Sequence, residues 1–305
     1  MYYSNPTVSV VIPCYNQGQY LDEAVESVIS QTYQDFEIII INDGSNDLET
    51  IEILKNYQKP KTRIIHTENQ GVIAARNRAI EAAQGKYILP LDADDKIGNT
   101  YLEEAVQLLE ANENLGIVYC EAEFFGEQTG KWELPEYSFS NILFGNMIFC
   151  SGFFRKSDWQ QVNGYNPNMI DGWEDYDFWL SIIELGREVY QIPQVLFFYR
   201  RKLISRSETI DGQKSVDLYN CLFKNHAQLY KDNIDIVFAK TIDFKQQLKL
   251  TRVKIKELER QGKKLKKDLK KSQEQIKAME SSKFWQLRNL WFKIKQRLKS
   301  LLRTD

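Results

Sequence analysis

Three carboxylates, Asp92, Asp94 and Asp95, fall within four residues directly after the run Lys86–Leu91. Packed this closely, their mutual repulsion raises their proton affinity unless a cation sits between them. A hard divalent ion, Mn2+ or Mg2+, meets that need, since such ions are held by one or two carboxylates plus substrate phosphates. The plainer alternative is an acidic turn that caps the next helix. Two other polar clusters interrupt apolar runs just as abruptly: Cys14-Tyr15-Asn16 after Val8–Ile12, and Asn42-Asp43-Gly44-Ser45 after Phe36–Ile41. Asp43 can accept hydrogen bonds from a pyrimidine ring or a ribose, or close an Asx-turn that Gly44 lets bend sharply. Tyr15 can stack on a base or simply pack. Further along, Asp171, Glu174, Asp175 and Asp177 open a helix whose buried stripe is Tyr176, Trp179, Leu180 and Ile183. The helix macrodipole favours acids there in any case, so this cluster is either the source of a general base or an ordinary helix start.

The elements that must position these groups follow from periodicity. Val8–Ile12, ended by Pro13, and Phe36–Ile41 are dense apolar runs that predict buried strands. Arg63–His66, Lys86–Leu91 and Ile117–Phe125 predict three more. Between them, Tyr20–Ser30, Leu48–Tyr57, Val72–Ala83 and Tyr101–Ala111 carry apolar residues at helical spacing. Alternation of this kind means right-handed βαβ units and a mostly parallel sheet covered on both faces. In such a sheet ligands bind outside the carboxyl ends of the strands, so the three polar clusters converge on one crevice. After Gly126 the pattern loosens into aromatic-rich segments that predict a mixed-sheet second half. The longest uncharged stretch there, Tyr137–Phe154, has an apolar part (Ile142–Phe154) too short to span a bilayer, and reads as a buried segment or a lid.

Charge splits the chain more sharply than its formal net charge of -2 suggests. Residues 1–250 carry 22 Lys+Arg against 36 Asp+Glu, whereas residues 251–305 carry 18 against 6. The acidic body argues against a nucleic-acid-binding core, and the basic tail alone suits an anionic partner. Cys14, Cys120, Cys150 and Cys221 form no C-x-x-C pair, which argues against a zinc site and a disulfide framework. The expectation is a reducing, cytoplasmic setting, and residues 1–20 show no signal-peptide pattern. No G-x-G-x-x-G loop or Walker lysine follows the first strand, so dinucleotide dehydrogenases and P-loop nucleotidases fit poorly.

Five segments, in order, resemble glycosyltransferase family 2: Val8-Ser9-Val10-Val11-Ile12-Pro13-Cys14-Tyr15-Asn16, Ile41-Asn42-Asp43-Gly44-Ser45, Gly71-Val72-Ile73-Ala74-Ala75-Arg76-Asn77, Asp92-Ala93-Asp94-Asp95, and Gly172-Trp173-Glu174-Asp175-Tyr176-Asp177-Phe178-Trp179. The resemblance covers about residues 7–205. It implies an α/β architecture of the GT-A type, a nucleotide-sugar donor, a Mn2+ or Mg2+ cofactor and inversion at the anomeric carbon. By the same resemblance Tyr15 and Asp43 contact the nucleobase, with Pro13 and Asn16 beside them on the donor. Asp92 holds the ribose or assists the metal, Asp94 ligates the metal, and Arg76 faces the nucleotide. Asp175 is the general base, with Glu174 as the second candidate. Inversion is a single in-line displacement, so one carboxylate must take the proton of the acceptor hydroxyl from the side opposite the metal. Tyr199-Arg200-Arg201-Lys202 resembles the segment that leads into a loop over the donor. Many relatives carry a histidine just after the arginine where this chain has Lys202 or Leu203, which leaves Arg200 either a diphosphate contact or a structural ion pair.

The tail reads as two helices. Leu248, Ile255, Leu258, Leu265, Leu269, Ile276 and Met279 share one heptad register, with Thr251, Gly262 and Ser272 at its other core positions. The register slips by one residue across Glu280–Lys283. A second seam then runs through Phe284, Leu287, Trp291, Ile294, Leu298 and Leu301, and six Lys/Arg and no acid lie between Phe284 and Arg303. The expected organisation is a catalytic domain over 1–235, a helical coiled-coil segment over 236–280 and a basic amphipathic helix over 281–305. That last helix suits an anionic membrane surface, at the inner face of the membrane, or an oligomeric assembly. The function expected is sugar transfer to a glycan, lipid-linked or polysaccharide acceptor. The competing readings are a sugar-nucleotide nucleotidyltransferase, which would want a Gly-rich loop that Tyr15-Asn16-Gln17-Gly18 lacks, and a noncatalytic nucleotide-binding scaffold.

Overall fold

The computed structural model describes residues 5–202 and 212–301. Leu203 and Arg303 lie outside the described residues, as does the loop expected after Lys202, and only the backbone of Leu301 is described. The chain divides into two compact units, Met1–Val237 and Phe238–Asp305.

In the first unit, β1 (Val8–Cys14), α1 (Gly18–Ile29), β2 (Phe36–Asp43), α2 (Leu48–Asn56), β3 (Thr62–Thr67), α3 (Val72–Ala82) and β4 (Tyr87–Pro90) alternate strand and helix. The four strands pair in parallel in the order β3-β2-β1-β4. Every residue of β1 and β4 is buried, as are Ile38–Ile41 of β2, which is what a parallel strand covered by helices on both faces requires. β1 does not stop at Pro13. It runs through to Cys14, with Pro13 opposite Ile41, because pairing with β4 has already ended at Val11 and the missing N–H lies where β1 has one neighbour only.

The second half is mixed, as its looser pattern predicts. It comprises β5 (Lys96–Ile97), α4 (Tyr101–Ala111), β6 (Leu115–Gly126), β7 (Gly130–Trp132), α5 (Phe139–Ile142), β8 (Phe153–Arg155), α6 (Lys156–Gln161), α7 (Glu174–Glu184), β9 (Glu188–Arg201), α8 (Gly212–Asn225) and α9 (Ala227–Asp232). β8 joins the sheet antiparallel to β4 and β6, β9 lies parallel to β6, and β5 pairs antiparallel with β9. The sheet has nine strands in all, with β7 on β6. The uncharged stretch is a buried layer rather than a lid: Ile142, Leu143, Met147, Ile148 and Phe149 are buried. α7 closes over it, with the Trp179 indole N–H donating to the Ile148 carbonyl at 3.0 Å.

The second unit is formed by α10 (Ile234–Ser281), which starts within the first, and α11 (Lys283–Leu301). No residue of α10 is buried. The helices separate at Ser282, whose hydroxyl accepts from the Trp285 N–H at 3.3 Å, and this break is where the apolar register slips.

Candidate active site

The carboxyl ends of β1, β2 and β4 open onto one cleft of about 490 Å3. Pro13, Tyr15, Asp43, Asp92, Asp94 and Arg200 all line it, so the three strand-end clusters do converge. Tyr15 is 42% exposed and its ring is free to meet a flat ligand. Asp43 is buried and already spoken for on both oxygens: it accepts from the Gln70 N–H at 3.0 Å and the Gly71 N–H at 2.9 Å. It thereby pins the loop that enters α3 against the end of β2. The bend after it requires Gly44, at φ +66°, where a Cβ would lie 2.5 Å from the Asn69 nitrogen. Asn16 is not among the lining residues. Its amide group instead clamps the β1 loop to the β2 loop, accepting from the Asn46 N–H at 2.9 Å and donating to Asn46 Oδ1 at 2.8 Å.

Arg76 departs most from expectation. It is 2% exposed and does not line the cleft. Its guanidinium bridges Asp92 Oδ1 at 2.7 Å and Glu174 Oε1 at 2.8 Å, although Glu174 is 98 residues away in sequence. Burial opposes its charge, but Asp92 and then Glu174 more than offset this and hold it cationic. One buried cation thus ties the cleft wall to the start of α7. There the four acids separate into distinct roles. Asp171 pairs with Lys214 at 3.4 Å, Glu174 with Arg76, and Asp177 with the buried His226 at 3.2 Å. Among the described residues Asp175 alone of the four has no ion pair; it accepts from the Tyr176 N–H at 2.7 Å. Burial, and next the charge of Glu174, push its carboxyl up to about 7. A carboxyl with that proton affinity is poised to exchange a proton near neutral pH. Trp173, immediately before Glu174, sits in the left-handed region at φ 59°, a conformation costly for a bulky residue and typical of functional turns.

On the metal side, Asp94 lies beside Lys202, with Nζ at 2.5 Å from Oδ2. Burial and repulsion from Asp92 raise the Asp94 proton affinity, and Lys202 opposes them. Asp95 is fully buried and faces away from this role, accepting from the Arg200 N–H at 2.8 Å. Arg200 itself pairs with Glu23, donates from Nε to the Asp94 carbonyl at 2.8 Å and stacks 4.7 Å over Tyr20, so its fork is largely committed to the protein. Among the described residues no three His, Cys, Asp or Glu side chains gather as a closed cage. Asp94 and Asp92, which both line the cleft, are the carboxylates that could hold a hard divalent ion together with substrate phosphates, and Lys202 pairs with Asp94.

Residues 9–165 match the family described as Glycosyl transferase family 2. This chain belongs to that family. An uncharacterized glycosyltransferase of Methanocaldococcus jannaschii is 31% identical over 226 residues, covering 70% of this chain and 77% of the relative. The chondroitin synthase of Pasteurella multocida is 28% identical over 263 residues, 80% of this chain but only 27% of the relative. Among solved structures, S. aureus TarS 1-349 in complex with UDP-GlcNAc aligns with a TM-score of 0.60 at 18% identity, covering 73% of this chain and 66% of that one. That likeness supports the GT-A-type fold. Membership in glycosyltransferase family 2 makes the protein a transferase, and sets aside the nucleotidyltransferase and scaffold readings. Within this family member, the bridge through Arg76 and the His226–Asp177 pair escape sequence reasoning because each joins elements far apart in the chain.

Proposed function

We propose that the protein is an inverting transferase moving a sugar from a nucleotide-sugar donor to the hydroxyl of a glycan or lipid-linked acceptor. The observation that carries this is the division of one site into two acidic parts joined by a buried cation. Asp92 and Asp94 line the cleft, and Asp175, which is not among the lining residues and has no ion pair among the described residues, directly follows Glu174, the far partner of the Arg76 bridge. In this reading Tyr15 and Asp43 border the nucleobase. Asp175 takes the proton of the acceptor hydroxyl as its oxygen attacks the anomeric carbon, and the bond to the diphosphate breaks with its electron pair leaving on the diphosphate. Asp94, with Asp92, would hold Mn2+ or Mg2+, which supplies positive charge for the departing diphosphate. Since a TarS structure contains UDP-GlcNAc, UDP-sugars head the donors to test. A screen of UDP-, GDP- and dTDP-sugars should find one that is slowly hydrolysed with Mn2+ or Mg2+, and Asp94→Ala should abolish this. Full activity in excess chelator rejects the metal role.

The tail supports a peripheral position at the cytoplasmic face of a membrane. No helix among the described residues is long and apolar enough to cross one. α11 exposes Phe284, Leu287, Trp291 and Leu298, while Arg288 lies 4.5 Å over Trp285 and Lys295 4.8 Å over Trp291. Each cation near an anionic surface contributes about 1 kcal/mol, and the aromatic residues add an apolar component that salt does not screen. Truncation after Ser281 should release the protein from anionic vesicles, and unchanged retention would exclude α11 as the anchor.

A further inference from the structure

We propose that α10 pairs with α10 of a second copy of this chain as a parallel, in-register, two-stranded coiled coil. The seam that would form it is uncovered: Ile255 is 50% exposed and Leu265 69%, and Leu248, Leu258, Leu269, Ile276 and Met279 are exposed with them. With Leu248 at position a, the a positions are Leu248, Ile255, Gly262, Leu269 and Ile276, and the d positions are Thr251, Leu258, Leu265, Ser272 and Met279. Isoleucine at a combined with leucine at d favours two parallel strands over higher assemblies.

The flanking positions decide the occupant. In a parallel pair each g residue faces the e residue five positions later on the other strand. Here those facing pairs are Gln247–Arg252, Lys254–Glu259, Gln261–Lys266, Asp268–Gln273 and Gln275–Glu280. None brings like charges together, and Lys254–Glu259 is attractive and occurs twice by symmetry. From Leu248 onward the remaining cations of this lysine-rich helix fall at b, c and f positions, which face water in such a pair. An anionic lipid surface fits α10 less well than it fits α11. The acids Glu257, Glu259, Asp268, Glu274 and Glu280 are interleaved along α10, whereas none occurs between Lys283 and Leu301. Gly262, around which nothing lies within 4 Å, leaves room at its a position for a larger side chain.

The test is the mass of the full-length chain by sedimentation equilibrium without lipid, expected at twice 35.9 kDa. Leu258→Asp with Leu265→Asp should return it to the monomer mass while the thermal transition of the catalytic unit stays in place, since neither side chain is buried. Lys254→Glu and Glu259→Lys should each raise the dimer Kd about tenfold, and the two together should restore it, as the ion pair is then reversed rather than removed. Met279→Cys should form a disulfide between identical positions, with the unsubstituted chain as control for Cys150 and Cys221. A chain that remains monomeric at high micromolar concentration overturns the proposal. So do a dimer indifferent to the aspartates, a double charge swap that fails to rescue, and the absence of a crosslink in the Met279→Cys variant, which would indicate antiparallel pairing.

Discussion

The two units of this chain handle burial in opposite ways. In the catalytic unit several charges are taken out of water and paired: Arg76 with Asp92 and Glu174, Asp177 with His226, Asp158 with Arg187. In the second unit large apolar side chains stay in water along both helices. The first unit thus carries its own stabilising core and its own electrostatic settings. The second gains little from propensity alone, because a helix in a protein owes most of its stability to packing of an apolar face. Perturbations should therefore separate cleanly between the two.

The largest separation is expected in catalysis. Asp175→Asn should lower transfer by about 10²–10⁴-fold, the usual contribution of a general base. Truncation after Ser281 should leave turnover on a soluble acceptor unchanged in the same assay. Because burial holds the Asp175 carboxyl at about 7, kcat/KM should climb as pH rises through that value. A flat profile between about pH 5 and 9 would remove Asp175 from the role. Next in size, Arg76→Met leaves the buried Glu174 and the partly exposed Asp92 without their cation and should cost about 3 kcal/mol in urea unfolding. Arg76 also lowers the Asp175 proton affinity, so a folded Arg76→Met protein should need a higher pH for activity.

His226 gives a pH-dependent test of the same unit. Asp177 and Glu184 raise it from 6.5 to about 9 against the effect of burial. Protonated in the fold and less so when unfolded, it stabilises fully below pH 6.5, and the benefit is lost as pH rises through 9. His226→Gln should thus cost most at about pH 6, on the order of 3 kcal/mol at about 1.4 kcal/mol per pKa unit, and least above about pH 9.5. An equal cost at both ends would mean packing alone. The smallest effect is expected in the tail, where Gly262→Ala should add about 0.5–1 kcal/mol to helix stability. Circular dichroism should show it without movement of the catalytic transition.

Much of the first unit was legible because each βαβ step is local. Phe36–Ile41 and Val72–Ala83 are continuous patterns, and the polar residues that end the strands mark the sheet edge where the cleft forms. What escaped was non-local or too short to have a period. β5 is two residues long, and its pairing with Phe197 and Phe198 is set by the fold rather than by its own composition. Arg76 reads as a phosphate-facing arginine near a helix start, since nothing in its neighbourhood shows that Glu174 will reach it. Asp43 lines the cleft and Asn16 does not, and both spend side-chain oxygens on backbone amides of adjoining loops. The four acids at the start of α7 could be ranked only once their partners were in place.

The Arg76 bridge also bears on how interchangeable the parts of such an enzyme are. Tyr15 and the loop clamped by Asn16 belong wholly to the N-terminal βαβ segment and make none of the bridge's ion pairs. In the proposed reading, substitutions at Tyr15 should therefore alter nucleotide preference without breaking the bridge. The stretch after Gly126 is not so separable. A chimaera that replaces the chain after Gly126 with the matching stretch of another family member inherits a foreign counterpart of Glu174 opposite the native Arg76. Recombination breakpoints that keep this one pair together should yield working hybrids far more often than those that split it.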